Sequence, residues 1–135
     1  MSFKKDGFRQ IIPGKGIRLR GSFAQANWKK QFEMVQVNIT VLMQLTHSFL
    51  PGMIERKNGK ILNLSSVATV CAGPDMSAYY ASKAFVRSFS EAVAEEVKGS
   101  GVTVTALCPG PTATGFGAAA DMGNDSKMFK KAAKA

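Results

Sequence analysis

Lys60-Ile61-Leu62-Asn63-Leu64-Ser65, then Ser77 to Val97, then Val102-Thr103-Val104-Thr105-Ala106-Leu107-Cys108: these three stretches, read together, decide the fold. The first is short and nearly continuously apolar, as a strand buried on both faces of a parallel sheet is. The second follows a Gly73-Pro74-Asp75 loop and carries Phe85, Phe89, Ala92 and Val93 on one side of a helix that Gly99-Ser100-Gly101 ends. The third is β-branched and stopped by Pro109-Gly110-Pro111. Strand, crossover helix and strand make a βαβ unit, so the two strands are expected to be parallel with a right-handed connection.

Upstream of that unit, Trp28, Phe32, Val35, Ile39, Leu42, Thr46 and Phe49 recur in alternating steps of four and three, one face of a long helix. Asn27 is its expected N-cap, and Pro51-Gly52 its end or a kink. Residues 1–17 show neither a two-fold nor a 3.6-fold apolar period and are expected to be a disordered N-terminus. An Ala/Lys-rich tail, residues 117–135, is read as a helix or a disordered end. The expected architecture is α/β: an incomplete doubly wound parallel sheet made of a βαβ unit and a long preceding helix.

With 45% hydrophobic and 20% charged residues in 135, the composition is that of one soluble domain or a piece of one. Apolar windows break well short of the ~20 residues a bilayer span needs, and no apolar run follows the basic start, so neither a membrane span nor a secretory signal is expected. A cytoplasmic location is the consequent expectation. Cys71 and Cys108 are the two cysteines, read as buried thiols rather than a bridge. The net charge of +9 is concentrated in residues 1–30 and in the tail, while residues 31–120 hold equal numbers of acids and bases. Charge confined to the ends does not make a nucleic-acid face, and no nucleic-acid partner is expected.

Chemistry is concentrated at Tyr79 and Lys83. At i and i+4 on a helix they stand one above the other, and a neighbouring ammonium favours the phenolate, lowering a tyrosine pKa from about 10 toward the range useful to a general acid/base. The same spacing is also that of an amphipathic surface pair. Other residues accompany it. Ser65-Ser66 lie at the C-terminal end of the first strand, where open α/β sheets form their ligand crevice, and the second strand ends beside them at Pro109-Gly110. Asn38 lies roughly 80° from the centre of the long helix's stripe, so its amide is expected to be half-buried and partnered. His47, the single histidine, has no second ligand at helical spacing, and no metal site is expected.

Taken in order, Asn38, Ser66, Tyr79-Tyr80-Ala81-Ser82-Lys83 and Cys108-Pro109-Gly110-Pro111-Thr112-Ala113-Thr114 resemble the C-terminal half of the classical short-chain dehydrogenases/reductases, over about residues 18–116. The resemblance implies a Rossmann-like fold and an NAD- or NADP-dependent oxidoreductase acting on a small-molecule carbonyl or alcohol. It implies that Tyr79 gives and takes the proton, that Lys83 assists it and holds the nicotinamide ribose, and that Ser66 bonds the substrate oxygen. Asn38 would hold a water of the proton relay. Pro109, Gly110, Thr112 and Thr114, with Tyr79 and Lys83, would form the cofactor contact. It further implies a homo-oligomer through the 28–50 and 77–97 helices, with Leu42 on the joining stripe.

The family's glycine-rich turn, its Asn-Ala-Gly segment and its NAD/NADP-selecting strand residue have no counterpart in the sequence. The chain is therefore expected to be a fragment lacking the dinucleotide-binding half. The alternative is a catalytically inactive remnant that serves as a helix-mediated interaction module.

Overall fold

The computed structural model describes residues 8–9, 19–67 and 71–109. Its sheet has three parallel strands in the order β1 (Phe8–Arg9), β2 (Gly59–Leu64), β3 (Val102–Leu107). β2 and β3 run in register from Gly59 opposite Val102 to Leu64 opposite Leu107, as the βαβ reading requires. β1 corrects the expectation of no structure before residue 18: Phe8 pairs with Lys60 and Arg9 with Ile61. Main-chain pairing does not depend on side-chain pattern, and two residues are too few to show a period of two. The expected 117–135 tail lies outside the described residues.

A short 3-10 turn, Phe23–Gln25, leads to α1 (Trp28–Val35), whose N-cap is Asn27: its side chain accepts from the Lys30 amide at 3.1 Å. α1 passes without interruption through a π-helical turn, Gln36–Val41, into α2 (Leu42–Glu55). Pro51 neither ends nor delimits this helix, which runs one turn beyond it. That last turn seats Met53, fully buried, in the core, and burial of such a side chain, worth about 1.5–3 kcal/mol, offsets the backbone bond that proline forfeits.

The π turn also explains why the apolar stripe is misplaced by straight-helix counting. It holds an extra residue per turn, so what precedes it is rotated by about one position. The row turned inward is Gln31, Met34 and Asn38, continuing as Leu42, Thr46 and Met53. Trp28 is 70% exposed and Phe32 50%, and Leu42, expected on an outer joining stripe, is wholly buried within the chain.

α3 (Ser77–Glu96) spans from β2 to β3 and buries Tyr79, Ser82, Lys83, Val86, Ser90 and Val93. Met53, Ile61, Val93, Val97, Val102 and Val104 form the core against it, with Leu45, Phe49, Leu50, Phe89 and Ala94 at the margin. Gly101 makes the return possible: its φ is +83°, and a Cβ there would stand 2.1 Å from the Lys57 carbonyl oxygen. No helix of the described residues is long and apolar enough to cross a membrane.

Candidate active site

The candidate site is assembled where β2 ends. Alternation along the strand turns Ile61, Asn63 and Ser65 inward, toward the helices. β2 and β3 stay joined past their last residues: the Ser65 amide donates to Leu107 O at 2.7 Å and the Val67 amide to Pro109 O at 3.4 Å. Ser66, half-buried, sits between these two links, so Pro109 and Ser66 occupy neighbouring strand ends. Gly110, Thr112 and Thr114 lie outside the described residues.

α3 presents Tyr79 and Lys83 one turn apart, each 5% exposed. The Lys83 Nζ stands 5.9 Å from the centroid of the Tyr79 ring, so the pair is buried and shares one side of the helix, unlike a solvated surface pair. Lys83 is gripped from both ends by Leu64, the last residue of β2, and Ser65, which follows it. Its Nζ donates to Leu64 O at 3.1 Å, and its own carbonyl accepts from Ser65 Oγ at 2.8 Å.

Asn38 reaches this pair through a residue that sequence reading gave no role. Its Nδ2 donates to Ser82 Oγ at 3.2 Å, and Ser82 Oγ donates to the Tyr79 carbonyl at 2.7 Å. Expected half-buried, Asn38 is 1% exposed, because the π turn points it straight at α3. Asn38 Oδ1 has no protein partner among the described residues, an orphaned acceptor deep beside Tyr79's helix. Ser65 and Ser82 are both buried hydroxyls, on the inward rows of the β2 segment and α3.

Tyr80 closes the outer side. Its ring meets Tyr79 edge-on, centroids 6.1 Å apart, and lies across buried Gly73, where any Cβ would collide with it. Burial, with a smaller contribution from nearby Cys71, pushes the Tyr80 phenol above the usual tyrosine range. Cys71 itself is exposed and Cys108 half-buried, which corrects the expectation of two buried thiols; both fall in loops beyond strand ends, outside the core.

Residues 7–124 match the family described as short chain dehydrogenase, and the chain belongs to that family. The match begins in the region of β1, earlier than the sequence motifs alone indicate. Among curated relatives, the chain is 41% identical over 115 residues to serine 3-dehydrogenase of Rhizobium radiobacter, covering 82% of this chain and 46% of that protein. It is 37% identical over 94 residues to a very-long-chain 3-oxoacyl-CoA reductase of Laccaria bicolor, covering 70% and 28%. A short-chain dehydrogenase of Sphingobium yanoikuyae solved in complex with NADPH superposes with a TM-score of 0.75 at 29% identity, covering 83% of this chain and 44% of that one. The fold is therefore Rossmann-like, and the chain spans less than half the length of these relatives.

Proposed function

We propose that this chain carries the proton-transfer groups of an NAD(P)-dependent oxidoreductase that interconverts a carbonyl and an alcohol. The observation that carries the reading is the buried Tyr79–Lys83 pair, with the ammonium 5.9 Å from the phenol ring and anchored to the end of β2. The bound nicotinamide would supply or accept the hydride.

The residues in hand do the rest. In reduction, the Tyr79 hydroxyl gives its proton to the substrate oxygen as that oxygen gains negative charge, and the reverse step takes it back. The Lys83 ammonium stabilises the phenolate left behind. A second donor from Ser66 orients the substrate oxygen and stabilises its developing charge. The orphaned Oδ1 of Asn38 accepts from a water through which Tyr79 is reprotonated. An ammonium and a hydroxyl at the C-terminal end of parallel strands also suit a ribose diol, and that donor set is the reason to place the nicotinamide ribose at Lys83 and Tyr79, next to Pro109. Gly110, Thr112 and Thr114 complete this contact in the proposal.

The fragment reading belongs to the proposal as well. Residues 18–116 supply the acid/base half, and no glycine-rich turn is present to seat a pyrophosphate. Exposed Val41, Met43 and Ile54 along α2 and its approach favour self-association through the long helices, the arrangement that a non-catalytic interaction module would also use. Ketone turnover separates the two readings. Joined to a Rossmann nucleotide-binding half, the chain should oxidise NADPH or NADH in the presence of ketones, and Tyr79→Phe should lower kcat about a hundredfold or more. Turnover undiminished by Tyr79→Phe would rule the catalytic reading out.

A further inference from the structure

A buried polar pair that takes no part in the proposed chemistry joins β2 to α3. Asn63 Nδ2 donates to Ser90 Oγ at 2.9 Å, and both residues are wholly inaccessible. Their surroundings do not ask for polarity: Ile61 precedes Asn63 on the inner row of β2, and Val86 and Val93 flank Ser90 on α3. Asn63 Oδ1 has no protein partner among the described residues, so the amide is placed at a cost to stability.

We propose that Asn63 and Ser90 form a register lock that fixes where Tyr79 and Lys83 stand relative to the end of β2. Apolar contact is non-directional, so a valine-lined helix on a sheet can slide or roll with little penalty. A hydrogen bond cannot follow such a movement, because it holds only within a narrow range of distance and angle. Ser65 Oγ to Lys83 O is one such tie. The Lys83 ammonium on Leu64 O belongs to the same residue, so both bonds hold α3 at one point and leave it able to pivot there. Asn63 to Ser90 is the second, two turns further along the helix and two residues back along the strand, as the antiparallel run of helix over strand requires. Together they remove the pivot. A slip of one residue would carry the phenol about 1.5 Å and turn it about 100°, and a misplacement of about 1 Å is enough to cost a reaction about 100-fold. The inference rests on the reading of Tyr79 and Lys83 as the reacting pair.

The test uses the full chain and ring-fluorinated tyrosine. In a Tyr80→Phe background, Tyr79 is the single fluorine reporter, since the chain has 2 tyrosines. The double variant Asn63→Val/Ser90→Ala removes both partners and the orphaned oxygen at once. It is expected to unfold at a denaturant concentration equal to or above that of its parent, while its Tyr79 resonance is displaced or split. Val93→Ala, a truncation in the same core, is expected to lower the midpoint and leave the resonance in place. A double variant that keeps the parent resonance overturns the lock. So does one that fails to fold, because the pair is then a stability element, or a Val93→Ala shift as large as the double variant's. Lys83→Met distinguishes the underlying reading: if it leaves the pH dependence of the Tyr79 resonance unchanged, the acid/base assignment fails whatever the double variant shows.

Discussion

Ser65 and Lys83 are tied by their own atoms and by their neighbours': the serine hydroxyl donates to the lysine carbonyl at 2.8 Å, and the lysine ammonium returns to the carbonyl of Leu64 at 3.1 Å. The end of β2 thus holds both the backbone and the charge of the residue that faces Tyr79. Ser65→Ala deletes one buried bond and should lower stability by about 0.5–1.5 kcal/mol. Urea unfolding checks this, and an unchanged midpoint would show that the tie contributes nothing to the fold.

Asn38 offers a test of shape against polarity. Asn38→Leu keeps the side chain's approximate volume and removes the orphaned Oδ1, so its stability should stay within about 1.5 kcal/mol of the parent. Asn38→Ala opens a cavity in a position that is 1% exposed and should cost more, about 2–3 kcal/mol. The reverse order in urea midpoints would contradict the packing described for the π turn.

Tyr80 predicts a pH dependence. Its folded-state phenol is raised above the ordinary value, chiefly by burial and secondarily by Cys71. The unfolded chain therefore loses this proton first, so the contribution is intact below about pH 10 and is lost as pH rises from there through the folded value. Thermal unfolding between neutral and strongly alkaline pH should fall less steeply in Tyr80→Phe than in the parent. Identical slopes would mean that the half-buried phenol is not coupled to folding.

Two adjacent residues separate association from folding. Leu42 is fully buried and Met43 is 42% exposed. Leu42→Lys places an unpaired charge in the interior and should abolish cooperative unfolding. Met43→Lys should leave the circular dichroism unchanged and weaken self-association in sedimentation velocity. A Met43→Lys chain that associates as strongly as its parent would remove α2 and the turn before it from the proposed interface.

How much of this was legible beforehand follows from how local each signal is. The βαβ unit was readable because β2, α3 and β3 each announce themselves within their own residues, by apolar run, helical spacing and β-branching. Tyr79 and Lys83 were readable because an i, i+4 spacing fixes a shared face wherever the helix goes. The inward face of α1 was not, because one π turn shifts the phase and no residue type marks such a turn; hence Trp28 and Phe32 lie outward and Asn38 fully inward. β1 escaped because two residues have no pattern. Ser82, Asn63 and Ser90 escaped, and Ser65 was placed only at the strand end and not against Lys83, because a polar residue on an inward row acquires a partner only when the opposing element is known.

The account turns on Lys83 acting on Tyr79, and the most direct measurement is the ultraviolet titration of the Tyr79 phenol in the Tyr80→Phe chain, with and without Lys83→Met. Loss of an ammonium 5.9 Å from the ring should move the ionisation midpoint to higher pH, because the phenolate loses the charge that favours it. A midpoint that is the same in both proteins would contradict the central claim.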